Sequence, residues 1–156
     1  MSRTAVAVYA SWMPIDAPLL IGQLMFADTS RGGVFSFTYD KHFLTSDYCL
    51  QIDPRLTLHT GELYNDSPDR NFRTFLDSCP DRWGRILMQR RAAIECRKGL
   101  RPSARLTELD YLLGVHDSYR MGGIRFKTTE STDFLDNDTE FAAYISLSHL
   151  CDVQDN

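Results

Sequence analysis

The pattern of apolar and polar positions predicts three strands near the start of the chain. Residues 4–9 alternate loosely, whereas residues 19–26 and 34–39 alternate with the period of two that turns one face of a strand toward a core. Residues 28–33 (DTSRGG) lie between the second and third strands and contain the glycines typical of a tight turn. The pattern therefore predicts an antiparallel hairpin preceded by a further strand.

Within residues 19–26, strict alternation predicts which side chains share a face. Leu20, Leu24 and Phe26 lie on one predicted face, and Ile21 lies on the other.

The period changes after a polar loop at residues 65–70. Residues 71–79, 81–98 and 107–115 have helical spacing, and residues 122–127 form a last strand. Strands followed by helices and then a strand indicate the α+β class, with a small, mainly antiparallel sheet and about three packed helices.

The helix at residues 81–98 has the clearest boundaries. Asp81 is a suitable N-cap, and Gly99 follows the last helical residue. One face of this helix is apolar and is expected to pack on the core: Trp83, Ile86, Leu87, Ala93 and Ile94. The opposite face is mostly polar and is expected to face solvent: Arg85, Met88, Gln89, Ala92 and Glu95.

Two residues of the apolar face, Arg90 and Trp83, lead to separate hypotheses. Arg90 lies in its middle, where an unpaired charge would be costly, so we expect an ion pair with Asp77, Asp81 or Asp110. Trp83 is interpreted as a core anchor in preference to an exposed hot spot of a partner interface, because its position agrees with that of its apolar neighbours.

Composition and charge limit the classes of function that the chain can have. The chain has 156 residues, of which 43% are hydrophobic, and it lacks an apolar stretch long enough for a membrane span. Residues 82–105 carry a net charge of +7, whereas residues 128–156 contain seven acids and no Lys or Arg. The basic segment has few aromatic residues, so a solvated helix surface is favoured over direct binding of nucleic acid.

The residue types that commonly bind metals or act as nucleophiles do not have the spacing of a known kind of site. The four cysteines are widely spaced, which favours reduced thiols in a cytoplasmic protein over disulfides or a zinc site. The four histidines stand alone, and no glycine pair has the spacing of a phosphate loop. We therefore predict no catalytic, metal-binding or cofactor-binding residue in this chain.

Three segments resemble the HipA family in order and spacing. Residues 75–88 (FLDSCPDRWGRILM) resemble the family pattern F-x-D-S-x-P-D-x-W-G-R-x-L-M. Residues 109–117 (LDYLLGVHD) resemble F-D-Y-L-L-G-V-x-D, and residues 120–126 (RMGGIRF) resemble R-x-G-A-L-R-F. Gly123 stands where the family usually has Ala, and Cys79 where Ala or Leu is usual. With the opening hairpin, the resemblance covers residues 4–127.

HipA-family proteins are serine/threonine kinase toxins of bacterial type II toxin–antitoxin systems, restrained by a DNA-binding HipB-like antitoxin. The resemblance implies the family's N-terminal subdomain, a small sheet with packed helices, at residues 4–127. Residues 128–156 would be an acidic tail or a linker toward a kinase core. No counterpart of the family's nucleotide loop, catalytic loop or metal-binding Asp is found here. Because phosphoryl transfer needs those groups, the chain alone is expected to be inactive, with ATP and Mg²⁺ bound only by the kinase core.

The resemblance leads to one main hypothesis and leaves alternatives open. The chain would be a non-catalytic subdomain that packs on a HipA-like kinase core, in the same polypeptide or a separate one, with Arg82, Trp83 and Arg85 as candidate contacts. It could instead be a stand-alone, antitoxin-like subunit that restrains a separately encoded kinase. A truncated gene product and a nucleic-acid-binding module are the remaining alternatives.

Overall fold

The computed structural model describes residues 3–29, 32–65, 71–117, 120, 122–128 and 134. Over these residues the chain forms five strands: β1 (Arg3–Ala10), β2 (Leu19–Thr29), β3 (Gly32–Tyr39), β4 (Glu62–Tyr64) and β5 (Ile124–Thr128). It also forms four helices: α1 (Lys41–Thr45), α2 (Arg73–Leu76), α3 (Arg82–Arg97) and α4 (Glu108–Leu113). None of the helices in this part of the chain is long and apolar enough to cross a membrane.

The strands form one antiparallel sheet in the order β4-β3-β2-β1-β5. The predicted hairpin is β2–β3, and the last strand pairs with the free edge of β1. The predicted α+β class with an antiparallel sheet is confirmed, with four helices where about three were expected. Most of the acidic segment 128–156, the loop residues 66–70 and the turn residues 30–31 lie outside the described residues.

The core lies between one face of the sheet and helices α1, α2 and α4. The sheet contributes alternate, almost fully buried side chains: Val6, Val8, Ala10, Leu24, Phe26, Phe35, Phe37, Tyr39 and Phe126. Helices and loops contribute a second layer: Phe43, Leu56, Phe72, Phe75, Leu109 and Leu112. Phe75 joins the two layers, because its ring lies 5.5 Å from that of Phe37 and 5.9 Å from that of Phe126.

A β-bulge in β2 changes the face of one predicted residue. Val8 pairs with Gly22 and Tyr9 with Leu20, so Ile21 is the extra residue. Ile21 is fully buried in the core cluster, whereas Leu20 is only partly buried, which corrects the strict alternation expected from the sequence. Gly22 is required beside the bulge, since a Cβ there would lie 2.2 Å from the carbonyl oxygen of Thr38.

Local capping signals set the ends of α3 as predicted. The side chain of Asp81 accepts a hydrogen bond from the backbone N–H of Gly84 at 2.7 Å. Gly99 follows the C-cap with a φ of 72°, which favours glycine. The helix therefore fills the predicted range 81–98, whereas the helix predicted at residues 71–79 shortens to α2.

Candidate functional site

Helix α3 is attached to the domain through the face that the sequence analysis assigned to solvent. Ala92 is its buried residue, and Arg85, Met88 and Gln89 lie on the same side. The methyl carbon of Met88 packs so closely on Gly114, beyond the end of α4, that a Cβ at Gly114 would come within 2.2 Å of it. Gln89 donates a side-chain hydrogen bond to the hydroxyl of Tyr111 at 2.8 Å.

Arg85 is the main anchor of this face. Its guanidinium donates to both oxygens of Glu108, at 3.1 and 3.0 Å, and lies 4.4 Å from the centroid of the Tyr111 ring. Glu108 hydrogen-bonds the guanidinium and so raises the pKa of Arg85. Because a two-pronged pair fixes geometry as well as charge, Arg85 locks α3 to α4. Its guanidinium contacts the domain itself, and its part in a partner contact stays a prediction.

We expect Arg85→Ala to lower the free energy of unfolding by about 2 kcal/mol, because the largely buried Glu108 carboxylate loses its arginine partner. Urea titration followed by circular dichroism measures this loss. Arg82→Ala is the matched control, since Arg82 is exposed one turn away on the same helix, and should change stability by less than about 0.5 kcal/mol. Equal losses in the two variants would contradict the assignment.

The apolar face of α3 points away from the core. Trp83 is 48% exposed and Ile94 is 37% exposed, and Leu87 lies between them and is partly buried. These three side chains project within about 40° of one another on a helical wheel. The core cluster of the described residues contains no residue of α3. The expectation that Trp83 anchors the core is therefore wrong, and we call Trp83, Leu87 and Ile94 the α3 stripe.

Arg90 lies in the same outward face and does not form the expected internal ion pair. Its side chain is exposed, and so is that of Asp77. Asp110 instead accepts hydrogen bonds from the backbone and hydroxyl of Thr107, at 2.6 and 2.7 Å, and from Arg101 at 3.4 Å. Asp110 therefore caps α4 as half of a capping box. The prediction failed because the face around Arg90 is turned toward solvent.

Basic side chains surround the α3 stripe. The exposed ones on α3 and at its C-cap are Arg82, Arg90, Arg91, Arg97 and Lys98. The one acid of the helix, Glu95, accepts a hydrogen bond from Arg91 at 2.7 Å. The outward surface is thus an apolar line with a positively charged border.

The segment at residues 75–88 has internal roles for most of its characteristic residues. Phe75 is in the core, Asp81 caps α3, and Gly84 lies so close to Pro80 that a Cβ would come within 2.8 Å of that ring. Burial raises the pKa of the Cys79 thiol to about 11, which keeps it protonated at neutral pH. Trp83 is the large apolar side chain of this segment that is left exposed.

Arg120, the first residue of the segment at 120–126, is a structural anchor whose role the sequence analysis did not predict. Its guanidinium donates to the carbonyl oxygens of Ser78, Leu112 and Val115, at 3.3, 2.8 and 2.9 Å. It also stacks 4.7 Å from the centroid of the Phe126 ring. This one side chain connects the turn before α3, the end of α4 and strand β5, and so fixes the base from which α3 presents its stripe.

A concave surface lies between α3 and α4 and has a volume of about 280 Å³. It is lined by both partners of the Arg91–Glu95 and Arg101–Asp110 ion pairs, with Met88 among its apolar residues. The described residues contain no group of three His, Cys, Asp or Glu side chains placed to hold a metal ion. The α3 stripe is therefore the surface in the described part of the chain that best fits an interaction site.

Comparisons of this chain with protein-family models, with curated proteins and with solved structures found no significant match.

Proposed function

We propose that this chain is a non-catalytic, HipA-like N-terminal subdomain that packs on a serine/threonine kinase core of a bacterial, cytoplasmic type II toxin–antitoxin system. The proposal rests on the order and spacing of the three segments at residues 75–88, 109–117 and 120–126. The α3 stripe is its contact surface. A HipB-like antitoxin would act on the complete kinase.

The exposure of Trp83 is the structural observation that supports a docking role for this surface. The segment around it is held by a capped helix start, a close glycine–proline contact and the Arg85–Glu108 pair. That framework holds Trp83 on the surface at 48% exposure, where burial of its ring in the core would have been the expected outcome. Rigidly held, exposed Trp residues bordered by Arg are typical of the few side chains that dominate an interface.

The role that we assign to the chain is docking, without a catalytic step. Its sequence supplies no phosphate cradle, metal ligand or catalytic base with the family's spacing, so the kinase core would contribute every group that acts on ATP. The chain would contribute apolar area and positive charge. Whether it belongs to the same polypeptide as the core or restrains a separate kinase, as an antitoxin-like subunit would, is decided by measurement.

The test is binding to a HipA-like kinase core that lacks its own N-terminal subdomain, measured by titration calorimetry. Trp83→Ala should weaken binding by about 30-fold or more, as expected for an interface hot spot. Its free energy of unfolding should fall by about 1–2 kcal/mol, because about half of the indole packs on the domain, so binding is compared where circular dichroism shows both chains folded. Leu100→Ala is the matched control, because Leu100 is 77% exposed but lies beyond the helix.

Two outcomes would contradict the proposal: no binding by the unmutated chain, or equal binding by Trp83→Ala. Where binding occurs, autophosphorylation of the core with and without the added chain separates the alternatives. A fall in autophosphorylation supports the restraining subunit, and a rise supports a subdomain that completes the kinase.

A further inference from the structure

The concave surface between α3 and α4 has an apolar floor and a charged rim, and we call it the α3–α4 pocket. Its floor is formed by four apolar side chains and one glycine: Met88, Ala92, Leu106, Leu113 and Gly114. Its volume of about 280 Å³ lies at the lower end of small-molecule sites, which measure about 300–1,000 Å³. The pocket therefore has room for one small apolar group.

The backbone after α3 brings the rim of the pocket over this floor. Gly99 has a φ of 72°, which favours glycine, and it turns the chain back at the end of the helix. Beyond this turn, Arg101 reaches across to α4, where its guanidinium donates to Asp110 at 3.4 Å. The floor is held where the methyl carbon of Met88 packs on Gly114. The pocket is thus already formed within this chain by α3, the following loop and α4.

The two carboxylates of the rim are occupied by donors of the chain itself. Glu95 accepts a hydrogen bond from Arg91 at 2.7 Å. One oxygen of Asp110 accepts from the backbone N–H and the hydroxyl of Thr107, at 2.6 and 2.7 Å, and the other accepts from Arg101. A cationic ligand would have to displace these donors, so the pocket is a poor site for a cation.

Arg101 is the rim group with hydrogen-bonding capacity left. A guanidinium has five N–H donors. Within the described part of the chain, the long contact with Asp110 is the one hydrogen bond that Arg101 makes. Its side chain is 31% exposed, so a ligand in the pocket can reach the remaining N–H groups. Residues 82–105 around it carry a net charge of +7, which attracts an anion.

We propose that the α3–α4 pocket binds an apolar group that carries a carboxylate. The carboxylate accepts hydrogen bonds from Arg101, and the apolar group lies on Leu106 and Leu113. A guanidinium suits a carboxylate because it can donate two parallel hydrogen bonds to it. Two sources supply this chemistry: a small branched-chain acid and the C-terminal residue of a polypeptide. The site is a property of this chain alone, so it does not rest on the proposed docking function.

Titration of the isotope-labelled chain with N-acetyl-leucine, followed by backbone amide chemical shifts, tests the site. We expect the largest shifts at Leu106, Leu113 and Gly114, with a Kd of about 1–10 mM, as expected for a ligand of about a dozen non-hydrogen atoms. N-acetyl-leucinamide is the matched compound, because it has the same apolar group and no charge. It should bind at least about fivefold more weakly, since a neutral amide makes weaker hydrogen bonds with a guanidinium.

Substitutions in the loop after α3 separate the two parts of the site. Arg101→Gln should weaken binding of N-acetyl-leucine by about fivefold without changing binding of the amide, and its partly exposed ion pair contributes little to the fold. Arg105→Gln is the matched control, because Arg105 is exposed in the same loop but does not line the pocket. Leu106→Ala should weaken both compounds by about threefold, because it removes apolar surface from the floor.

Two further ligands distinguish the sources of the carboxylate. A short peptide that ends in leucine and free 4-methylpentanoate should both bind, and both should lose affinity in Arg101→Gln. Tighter binding of the peptide identifies a polypeptide terminus as the natural ligand, and tighter binding of 4-methylpentanoate identifies a small acid.

The proposal is overturned if N-acetyl-leucine causes no shifts at concentrations up to about 50 mM, well above the expected Kd. It is also overturned if the acid and its amide bind equally, if Arg101→Gln binds as the unmutated chain does, or if the shifts lie on the α3 stripe. Because no kinase core is present in these measurements, their failure leaves the calorimetric test of the docking function unaffected.

Discussion

Phe75→Ala should lower the free energy of unfolding by about 3–5 kcal/mol. The ring of Phe75 is fully buried, and it packs against Phe37, Phe72 and Phe126 at centroid distances of 5.5, 5.9 and 5.9 Å. These neighbours belong to β3, the N-cap of α2 and β5, which cannot all move inward to fill the space. The loss therefore combines the transfer of an aromatic ring into water with the cost of a cavity.

Urea unfolding followed by tyrosine and tryptophan fluorescence measures this loss. Phe75→Leu keeps most of the apolar volume and should cost clearly less. Leu100→Ala removes an apolar side chain that is 77% exposed and should change stability by less than about 0.5 kcal/mol. A loss below about 1 kcal/mol for Phe75→Ala would show that the core relaxes around the site and would contradict the packing described above.

The inward face of β3 was predictable because it depends on the strand alone. Phe35, Phe37 and Tyr39 alternate with smaller or polar residues, and all three are buried. Ile21 in β2 was not predictable, because its face follows from a bulge opposite Val8 and Tyr9. A bulge is a property of two paired strands, so the alternation within one of them carries no sign of it.

The ends of helix α3 could be predicted from the sequence, but its orientation could not. Its ends follow from Asp81 and Gly99, which act on adjacent backbone and are visible in the sequence. Its orientation follows from Glu108 and Tyr111, which lie 23 and 22 residues from their partners on the helix. A helical wheel identifies an apolar face, but it does not show whether that face packs on the core or is exposed. The Arg90 hypothesis failed because it assumed that the face packs on the core.

Short elements and single anchors also escaped the sequence analysis. Helix α1 has five residues, fewer than two turns, so no periodicity could reveal it. Its one local signal was Asp40, whose side chain accepts hydrogen bonds from the backbone of His42 and Phe43. Arg120 was noted only as the first residue of the segment at 120–126. Its anchoring role could not be predicted, because the carbonyl oxygens that it binds are brought to it by the fold.

Arg120→Ala should lower the free energy of unfolding by about 3 kcal/mol. The substitution removes the donor shared by the carbonyl oxygens of Ser78, Leu112 and Val115, and it removes the cation stacked on Phe126. A neutral alanine leaves those acceptors short of a hydrogen bond in a partly buried site. Chemical denaturation measures the loss, and the exposed Arg82→Ala serves again as the control for removing a charge.

Arg120→Lys separates charge from geometry. Lysine keeps the positive charge, but its single ammonium group cannot replace a planar guanidinium that spans three carbonyl oxygens, so we expect it to recover less than half of the lost stability. Full recovery by lysine would mean that charge alone matters and would contradict the bridging role.

Because Ser78 lies just before α3, the loss of this bridge should also loosen the helix that carries Trp83. In conditions where Arg120→Ala remains folded, it should therefore weaken docking more than Arg82→Ala does, although Arg82 lies closer to the α3 stripe.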